Sequence, residues 1–216
     1  MPALPENDPT AALAVTGTPA SAAPVPVART RTATDVALVA TFAAFIAVCA
    51  LLPSINVAGM AVPITLQTFG VMLAGVVLGA RRGALAALLY LAVGLAGLPI
   101  FAGGTGGLAV IGKPSFGYLI AFPLAAALAG YLASYAQRVP GRWRAPVLFA
   151  AAMAGSLVFT HPIGIAVMGW RLALEPAAAI KLGLTFLPGD ILKNVVVAVV
   201  AAAVFRAFPD MLRQRR

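Results

Sequence analysis

The feature that most constrains this chain is a charge-free stretch that runs from Val36 to Ala80. A helix crosses the roughly 30 Å hydrocarbon core of a bilayer with about 20 apolar residues, so this stretch is long enough for two crossings. Helix-breaking residues near its middle indicate where the chain turns: Pro53, Asn56, Gly59 and Pro63. This part of the chain is therefore predicted to form two membrane-spanning helices.

The composition agrees, because 62% of the residues are hydrophobic, 10% are charged and the mean hydropathy is +0.99. An ordinary globular domain carries about 25% charged residues. Too few polar side chains remain to cover a water-facing surface, which excludes a soluble enzyme. The net charge of +9 does not indicate a nucleic-acid partner, because the basic residues form short clusters between apolar runs and not one wet face.

Breaking the chain at charges and at Pro or Gly clusters predicts an all-α integral membrane protein with six transmembrane helices. The predicted spans lie near residues 35–52, 63–80, 83–97, 115–137, 145–169 and 187–206. Residues 1–34 are rich in Ala, Pro and Thr, and we expect them to form a disordered tail. The six-helix membrane domain then covers residues 35–208, and residues 209–216 form a basic cytoplasmic tail.

Basic residues predict the orientation. Six spans put four basic segments on one side of the membrane, and they hold 11 of the 15 basic residues: Arg29, Arg31, Arg81, Arg82, Arg138, Arg142, Arg144, Arg206, Arg213, Arg215 and Arg216. The positive-inside rule therefore places both termini in the cytoplasm. The connections near 53–63, 98–114 and 170–186 are then extracellular, and the last of them is expected to hold a short interfacial helix.

Polar residues at the outer helix ends are the candidates for a binding site. Asp190 and Lys193 lie three residues apart, on one helix face, where they either recognise a polar ligand or neutralise each other at the membrane interface. Gln67 either bonds a neutral ligand or bonds a neighbouring helix. The glycine-rich connection at 98–114 can fold closely over a small ligand. These features converge on one side, and we predict a ligand pocket at the extracellular ends of the helices.

Two other motifs carry less weight. The segment Gly107–Lys113, GLAVIGK, has P-loop spacing up to its lysine, but Pro114 replaces the required Ser or Thr, so no ATPase site is predicted. His161 precedes Pro162 and has no second histidine or evident carboxylate nearby, so we interpret it as a helix-packing or kink residue. We predict no catalytic, metal or cofactor site; an intramembrane enzyme using His161 or Asp190 is the weak alternative.

The first span carries small residues at helical spacing, among them Ala40 and Ala44. Small side chains four residues apart allow close contact between helices in a membrane. This face either packs inside the protein or docks on another membrane protein, and the sequence leaves both interpretations open.

Four segments together resemble one family. They are VPITLQTFGVMLAG at 62–75, YLAVGLAGLPIFAGGTGG at 90–107, GYL at 117–119 and PGDILKN at 188–194. They are similar to the biotin-specific substrate-binding (S) components of energy-coupling-factor transporters, the BioY family. The resemblance runs from about Asp35 to Phe208. The chain departs from it in GKPSFGYL at 112–119, where a Gly-Pro-Thr-Gly-Gly-Tyr pattern is expected.

The resemblance implies a multi-pass protein of the bacterial plasma (inner) membrane that binds biotin from outside with high affinity. The implied partners are biotin, membrane lipid, a transmembrane coupling protein and two cytoplasmic ATPase subunits that drive inward release. The protein would need no cofactor and would not itself be an enzyme. A related component for another small vitamin is the alternative.

The resemblance also implies roles for individual residues. Asp190 and Lys193 would recognise the bicyclic end of biotin, with Gln67 beside them. The residues expected to line or close the pocket are Tyr90, Phe101, Gly103, Gly104 and Tyr118. The Ala40 and Ala44 face would dock on the coupling protein. Two groups compete for the biotin carboxylate: Lys113 and the backbone donors at the start of the fourth helix, near Ser115.

Overall fold

The computed structural model describes residues 31–55 and 62–208 of the chain. The predicted disordered tail up to residue 30, the middle of the first outer connection and the basic tail at 209–216 lie outside the described residues. The first helix begins at Arg31, so the predicted tail boundary at residue 34 falls inside a helix.

The regular elements of the described residues are helical, and no strand occurs among them. The α-helices are α1 (Arg31–Leu51), α2 (Gln67–Leu78), α3 (Ala80–Leu95), α4 (Phe116–Ala133), α5 (Gly141–Gly155), α6 (His161–Arg171), α7 (Pro176–Leu184) and α8 (Leu187–Ala207). Short 3-10 segments cover Leu108–Gly112 and Ser134–Arg138, and a π turn at Ser156–Thr160 joins α5 to α6. The helix expected in the last outer connection is α7.

Four helical segments of the described residues are long and apolar enough to cross a membrane. They are Thr32–Leu51, Phe116–Arg138, Gly141–Arg171 and Leu187–Ala207. The third is the continuous helix formed by α5, the π turn and α6. These four segments correspond to the first, fourth, fifth and sixth predicted spans.

The second predicted span is shorter than expected, whereas the third has about its expected length. Helices α2 and α3 have 12 and 16 residues, which at 1.5 Å per residue makes them about 18 Å and about 24 Å long. They are joined by Gly79 alone, with φ at 88°. Arg81 and Arg82 were expected in this connection, but they lie in the first turn of α3. The reason is that glycine adopts positive φ without strain, so one residue suffices to separate the helices.

Helix α4 lies at the centre of the bundle, where it packs against α2, α3, α5 and α6. Its buried surface is made largely of small residues: Ala121, Ala125, Ala126, Ala129, Gly130 and Ala133. Because these side chains are small, neighbouring backbones come very close to the helix. A Cβ atom placed on Gly155 of α5 would lie 2.6 Å from the carbonyl oxygen of Ala125.

The same close packing joins α2 and α3 near their single-residue connection. A Cβ atom on Gly83 would lie 2.6 Å from the Cα atom of Gly75, and one on Gly130 would lie 2.5 Å from the carbonyl carbon of Gly79. Backbone lies on both sides of these contacts, so no side chain can move aside to make room. Three helices are therefore fixed together at this end of the bundle.

The packing predicts that Gly83→Ala destabilises the protein by about 1–3 kcal/mol, because the added methyl group overpacks a backbone contact. The measurement is thermal unfolding in detergent. The matched control is Gly141→Ala at the start of α5, where an added Cβ has no neighbour within 4 Å. Equal melting temperatures for the two variants would contradict the proposed close contact.

Candidate ligand-binding site

A cavity of about 520 Å³ lies at the end of the bundle where α2, α4 and α8 begin. This volume is within the range of roughly 300–1,000 Å³ typical of small-molecule sites. Its wall combines apolar and polar groups, among them Thr65, Gln67, Thr68, Phe101, Gly103, Lys113, Ser115, Tyr118, Phe122, Phe186, Asp190 and Lys193. Distant parts of the sequence therefore meet around one space, as the polar pattern predicted.

Asp190 and Lys193 form an ion pair on the first turns of α8. The Lys193 Nζ atom lies 2.5 Å from Asp190 Oδ1, and the two side chains are only 13% and 5% exposed. Thr68 of α2 donates a hydrogen bond of 3.0 Å to the same carboxylate oxygen. The pair thus links α8 to α2, and Asp190 Oδ2 is left for other contacts.

The ammonium group of Lys193 has three N–H donors, and each has an acceptor in the protein. In addition to Asp190, Nζ donates to the Thr65 carbonyl oxygen over 3.1 Å and to Thr68 Oγ1 over 2.7 Å. Thr68 therefore accepts from Lys193 and donates to Asp190. A ligand acceptor that reaches Lys193 has to replace one of these bonds.

His161, the first residue of α6, contacts the carboxylate of Asp190. Its Nε2 atom is 3.6 Å from Asp190 Oδ2, and both side chains are buried. The expectation that no carboxylate lies near His161 is wrong, because the fold brings together the start of α6 and the start of α8. The π turn that precedes His161 was not predicted, since no sequence signal distinguishes it from an ordinary helical turn.

Gln67 begins α2 and is held by a chain of hydrogen bonds. Its Nε2 donates to the Tyr90 hydroxyl over 2.7 Å, and that hydroxyl donates to the Ile100 carbonyl oxygen over 3.1 Å. Tyr90 is 1% exposed and does not lie on the cavity wall. Tyr90 therefore fixes Gln67 without facing the cavity itself. The amide nitrogen of Gln67 bonds a neighbouring helix, which was one of its two predicted roles, and Gln67 also lines the cavity.

A tight loop at 101–105 covers one side of the cavity. Phe101 and Thr105 exchange backbone hydrogen bonds, and Gly103 and Gly104 between them have φ of 72° and 67°, a region that favours glycine. Phe101 is buried with its ring edge-on to Tyr90 at 5.3 Å between centroids. Phe101 and Gly103 line the cavity, but Gly104 does not.

The cavity wall also carries polar groups that have no hydrogen-bond or ion-pair partner among the described residues. The Tyr118 hydroxyl is buried without a hydrogen-bond partner in the described chain. Lys113 also lines the cavity, and its ammonium group forms no ion pair with any described carboxylate. The loop that carries Lys113 is fastened to the end of α6 by a bond of 3.0 Å from Arg171 Nη2 to the Ile111 carbonyl oxygen. The wall therefore offers a neutral donor and a cation.

The segment that matched P-loop spacing folds differently from a nucleotide-binding loop. Leu108–Gly112 forms a short 3-10 helix, with Lys113 directly after it at the cavity. A P-loop lies between a strand and a helix, and no strand precedes this segment in the ranges 31–55 and 62–107 that the structure describes.

The small residues of α1 divide between two faces. Ala43 is buried in the core, whereas Ala40 and Ala44 are exposed. Ala40 also lines a second, more open groove beside Asp35 and Leu85, between α1 and α3. Internal packing therefore accounts for Ala43 but not for Ala40 and Ala44.

Sequence reasoning missed four residues at the site. Phe122 and Phe186 lie on the wall, but an apolar residue in a chain this hydrophobic carries no positional signal. Thr68 follows Gln67 directly, and a hydroxyl on the first turn of an apolar helix was the signal that could have found it. His161 was noticed but not associated with α8, because its partner is far away in sequence.

The sequence model of the BioY family matches residues 10–210 of the chain. The chain belongs to the BioY family. The resemblance found in its motifs is thereby confirmed, and the family is one of transporter components and not of enzymes.

Two relatives of this BioY chain are each named as a biotin transporter BioY. The protein from Rhizobium etli is 40% identical over 180 residues, which cover 81% of this chain and 95% of the relative. The protein from Rhodobacter capsulatus is 38% identical over 192 residues, which cover 84% and 98%.

A crystal structure described as the S-component for biotin from an ECF-type ABC transporter has a similar fold. It matches this BioY chain with a TM-score of 0.72 at 26% identity, over 81% of this chain and 92% of that one. The helical arrangement described above is therefore that of an S component.

Proposed function

We propose that this chain binds biotin as the S component of an energy-coupling-factor transporter in the bacterial plasma membrane. The observation that carries the proposal is the buried Asp190–Lys193–Thr68 cluster at one side of an apolar cavity, in a chain whose BioY relatives are named biotin transporters. Another small vitamin is the alternative ligand, and the names of the relatives favour biotin over it.

The wall of the cavity supplies a partner for each part of biotin. The ureido ring has two N–H donors and a carbonyl, the thiophane ring and chain are apolar, and the chain ends in a carboxylate. Asp190 Oδ2 accepts an N–H, and the unpartnered Tyr118 hydroxyl donates to an oxygen without breaking an existing bond. Phe122 and Phe186 provide apolar contact. Polar groups buried by the ligand are thereby paired, which is the condition for tight binding.

The orientation of the protein follows from the positions of its charges. The cavity residues lie at the starts of α2, α4 and α8, whereas Arg81 and Arg82 begin α3 and Arg206 ends α8. Because arginine-rich ends stay in the cytoplasm, the six helical segments span the membrane with both termini inside. The cavity then opens to the outside, where biotin is captured.

Inward release of biotin requires partners, because S components work with a coupling protein and ATPase subunits. The face of α1 that carries Ala40 and Ala44 is exposed and closely approachable. This face docks on the transmembrane coupling protein, and two cytoplasmic ATPase subunits supply the energy. The chain itself binds and releases biotin without hydrolysing nucleotide.

Isothermal titration of the purified protein with biotin is expected to give submicromolar affinity. Asp190→Asn and Lys193→Ala are each expected to weaken binding by about 10–100-fold, because each removes a charge-assisted bond worth about 1.5–3 kcal/mol. Lys181→Ala is the control, since Lys181 is exposed on α7 and outside the cavity. Thermal unfolding checks that each variant is folded.

Binding of biotin weaker than micromolar would overturn the proposed function. Titration with a panel of other vitamins then identifies a different ligand. Unchanged affinity in both folded variants would instead leave biotin as the ligand and return the Asp190–Lys193 pair to a purely structural role. An intramembrane enzyme would instead convert the ligand chemically. Recovery of a chemically changed ligand, in place of one intact biotin per protein, would support that alternative.

Lys113 is expected to bind the biotin carboxylate. Lys113→Ala should weaken biotin binding by about tenfold, about 1.4 kcal/mol, while the affinity for the uncharged amide of biotin stays unchanged. Titration of both ligands against both proteins measures the difference. Equal losses for the two ligands would assign the carboxylate to the backbone donors at the start of α4, near Ser115.

The docking face predicts that Ala40→Leu together with Ala44→Leu reduces co-purification of the coupling protein at least severalfold, because larger side chains prevent close helix contact. Biotin affinity of the isolated variant should stay at the wild-type level, since neither residue lines the cavity. Val199→Leu together with Ala203→Leu, two exposed positions four residues apart on α8 and outside the cavity, is the control. Undiminished co-purification would contradict this face as the docking surface.

A further inference from the structure

The imidazole of His161 is held between a helix carbonyl and the carboxylate of the candidate site. Nδ1 lies 3.1 Å from the Ser156 carbonyl oxygen, and Nε2 lies 3.6 Å from Asp190 Oδ2. In the π turn the Ser156 carbonyl accepts the backbone N–H of His161, five residues later. The same oxygen therefore lies close to the His161 ring and contacts its Nδ1 atom. Both lone pairs of that oxygen are then used, and the ring is fixed in one orientation.

The tautomer of His161 follows from this contact. A carbonyl oxygen only accepts, so Nδ1 must carry a hydrogen. In the neutral ring Nε2 is then a bare acceptor that faces a carboxylate oxygen. Nε2 is buried and has no other hydrogen-bond partner in the described chain. Two acceptors in this arrangement repel each other, and one proton placed between them converts the repulsion into a bond.

The two oxygens of Asp190 differ in their surroundings. Lys193 and Thr68 bind Oδ1, whereas His161 is the polar group that faces Oδ2 among the described residues. Among the described residues, Asp190 on α8 faces the imidazole, and Asp190 itself interacts with Lys193 on α8 and with Tyr118 on α4. Because Lys193 and Asp190 compensate each other, the added proton resides on the His161–Asp190 contact.

We propose that His161 is a positioning residue that shares one proton with Asp190 and thereby makes ligand affinity depend on pH. The proton comes from solvent and no covalent bond between heavy atoms changes. With the proton present, Oδ2 is bonded to Nε2 and its second lone pair points to the ligand. When the proton is lost, the carboxylate turns from the bare nitrogen and its alignment with the ligand weakens.

The direction of the effect follows from this geometry. Affinity is greatest at low pH, where a proton lies between Nε2 and Oδ2, and falls as pH rises and that proton is lost. The inference rests on the proposed function of Asp190 in biotin binding. His161 is the single histidine of the sequence, so no other imidazole can produce such a profile.

The experiment is titration of the full chain with biotin from about pH 5.5 to about pH 8.5, a range over which the biotin carboxylate stays ionised. The purification tag must contain no histidine. Wild-type affinity is expected to fall about tenfold across the range. His161→Gln should bind equally well throughout, because its amide nitrogen replaces Nε2 and donates at every pH. His161→Leu should bind weakly throughout.

A second measurement does not depend on variants. The imidazole ¹⁵N shifts of the wild-type protein should report a protonated Nε2 at low pH and a bare Nε2 at high pH, with Nδ1 protonated at both. Biotin binding with a flat pH profile, or a wild-type slope in His161→Gln, overturns this inference and leaves the proposed function intact. Absence of biotin binding at every pH overturns the proposed function itself.

Discussion

The pairing of Asp190 with Lys193 is the interaction on which the site depends. A carboxylate and an ammonium group inside a membrane protein are costly unless each is compensated. Here Thr68 and the Thr65 carbonyl complete the bonding, so the pair also holds α8 against the start of α2. In the proposed site, the contacts that compensate the two charges also determine where a polar ligand can bind. Stability and the proposed recognition at this end of the bundle then have one physical origin.

The central helix provides the other requirement, a cavity at one end of a densely packed bundle. Alanine and glycine on α4 bring the surrounding backbones close along much of its length. At its start these give way to larger groups, including Tyr118, Leu119 and Phe122, which stand around the cavity. The change from small to large residues along one helix separates a rigid end from an end with room for a ligand.

Much of the fold was predictable, because hydrophobic length and charge are strong signals in lipid. The segments α1, α4, α5–α6 and α8 match predicted spans, and the motif around Asp190 and Lys193 lies at the cavity. The α2–α3 turn was predicted at Arg81 and Arg82, but it is formed by Gly79 alone. A single glycine provides no polar loop by which the sequence could indicate the turn. The π turn and the contact from His161 to Asp190 depend on tertiary packing, which a single sequence does not encode in any local pattern. The binding roles of the site residues stay predictions.

The brief helices α2 and α3 also have a consequence for the surrounding lipid. In the proposed six-span topology both fall below the roughly 30 Å of hydrocarbon that a bilayer presents. Helix α2 is buried, but lipid beside the exposed leucines of α3 would have to thin, at a cost that grows with each ångström of mismatch. The groove between α1 and α3 lies on this part of the surface. A partner helix seated there would release the deformed lipid, so the membrane itself would contribute to the free energy of the proposed assembly.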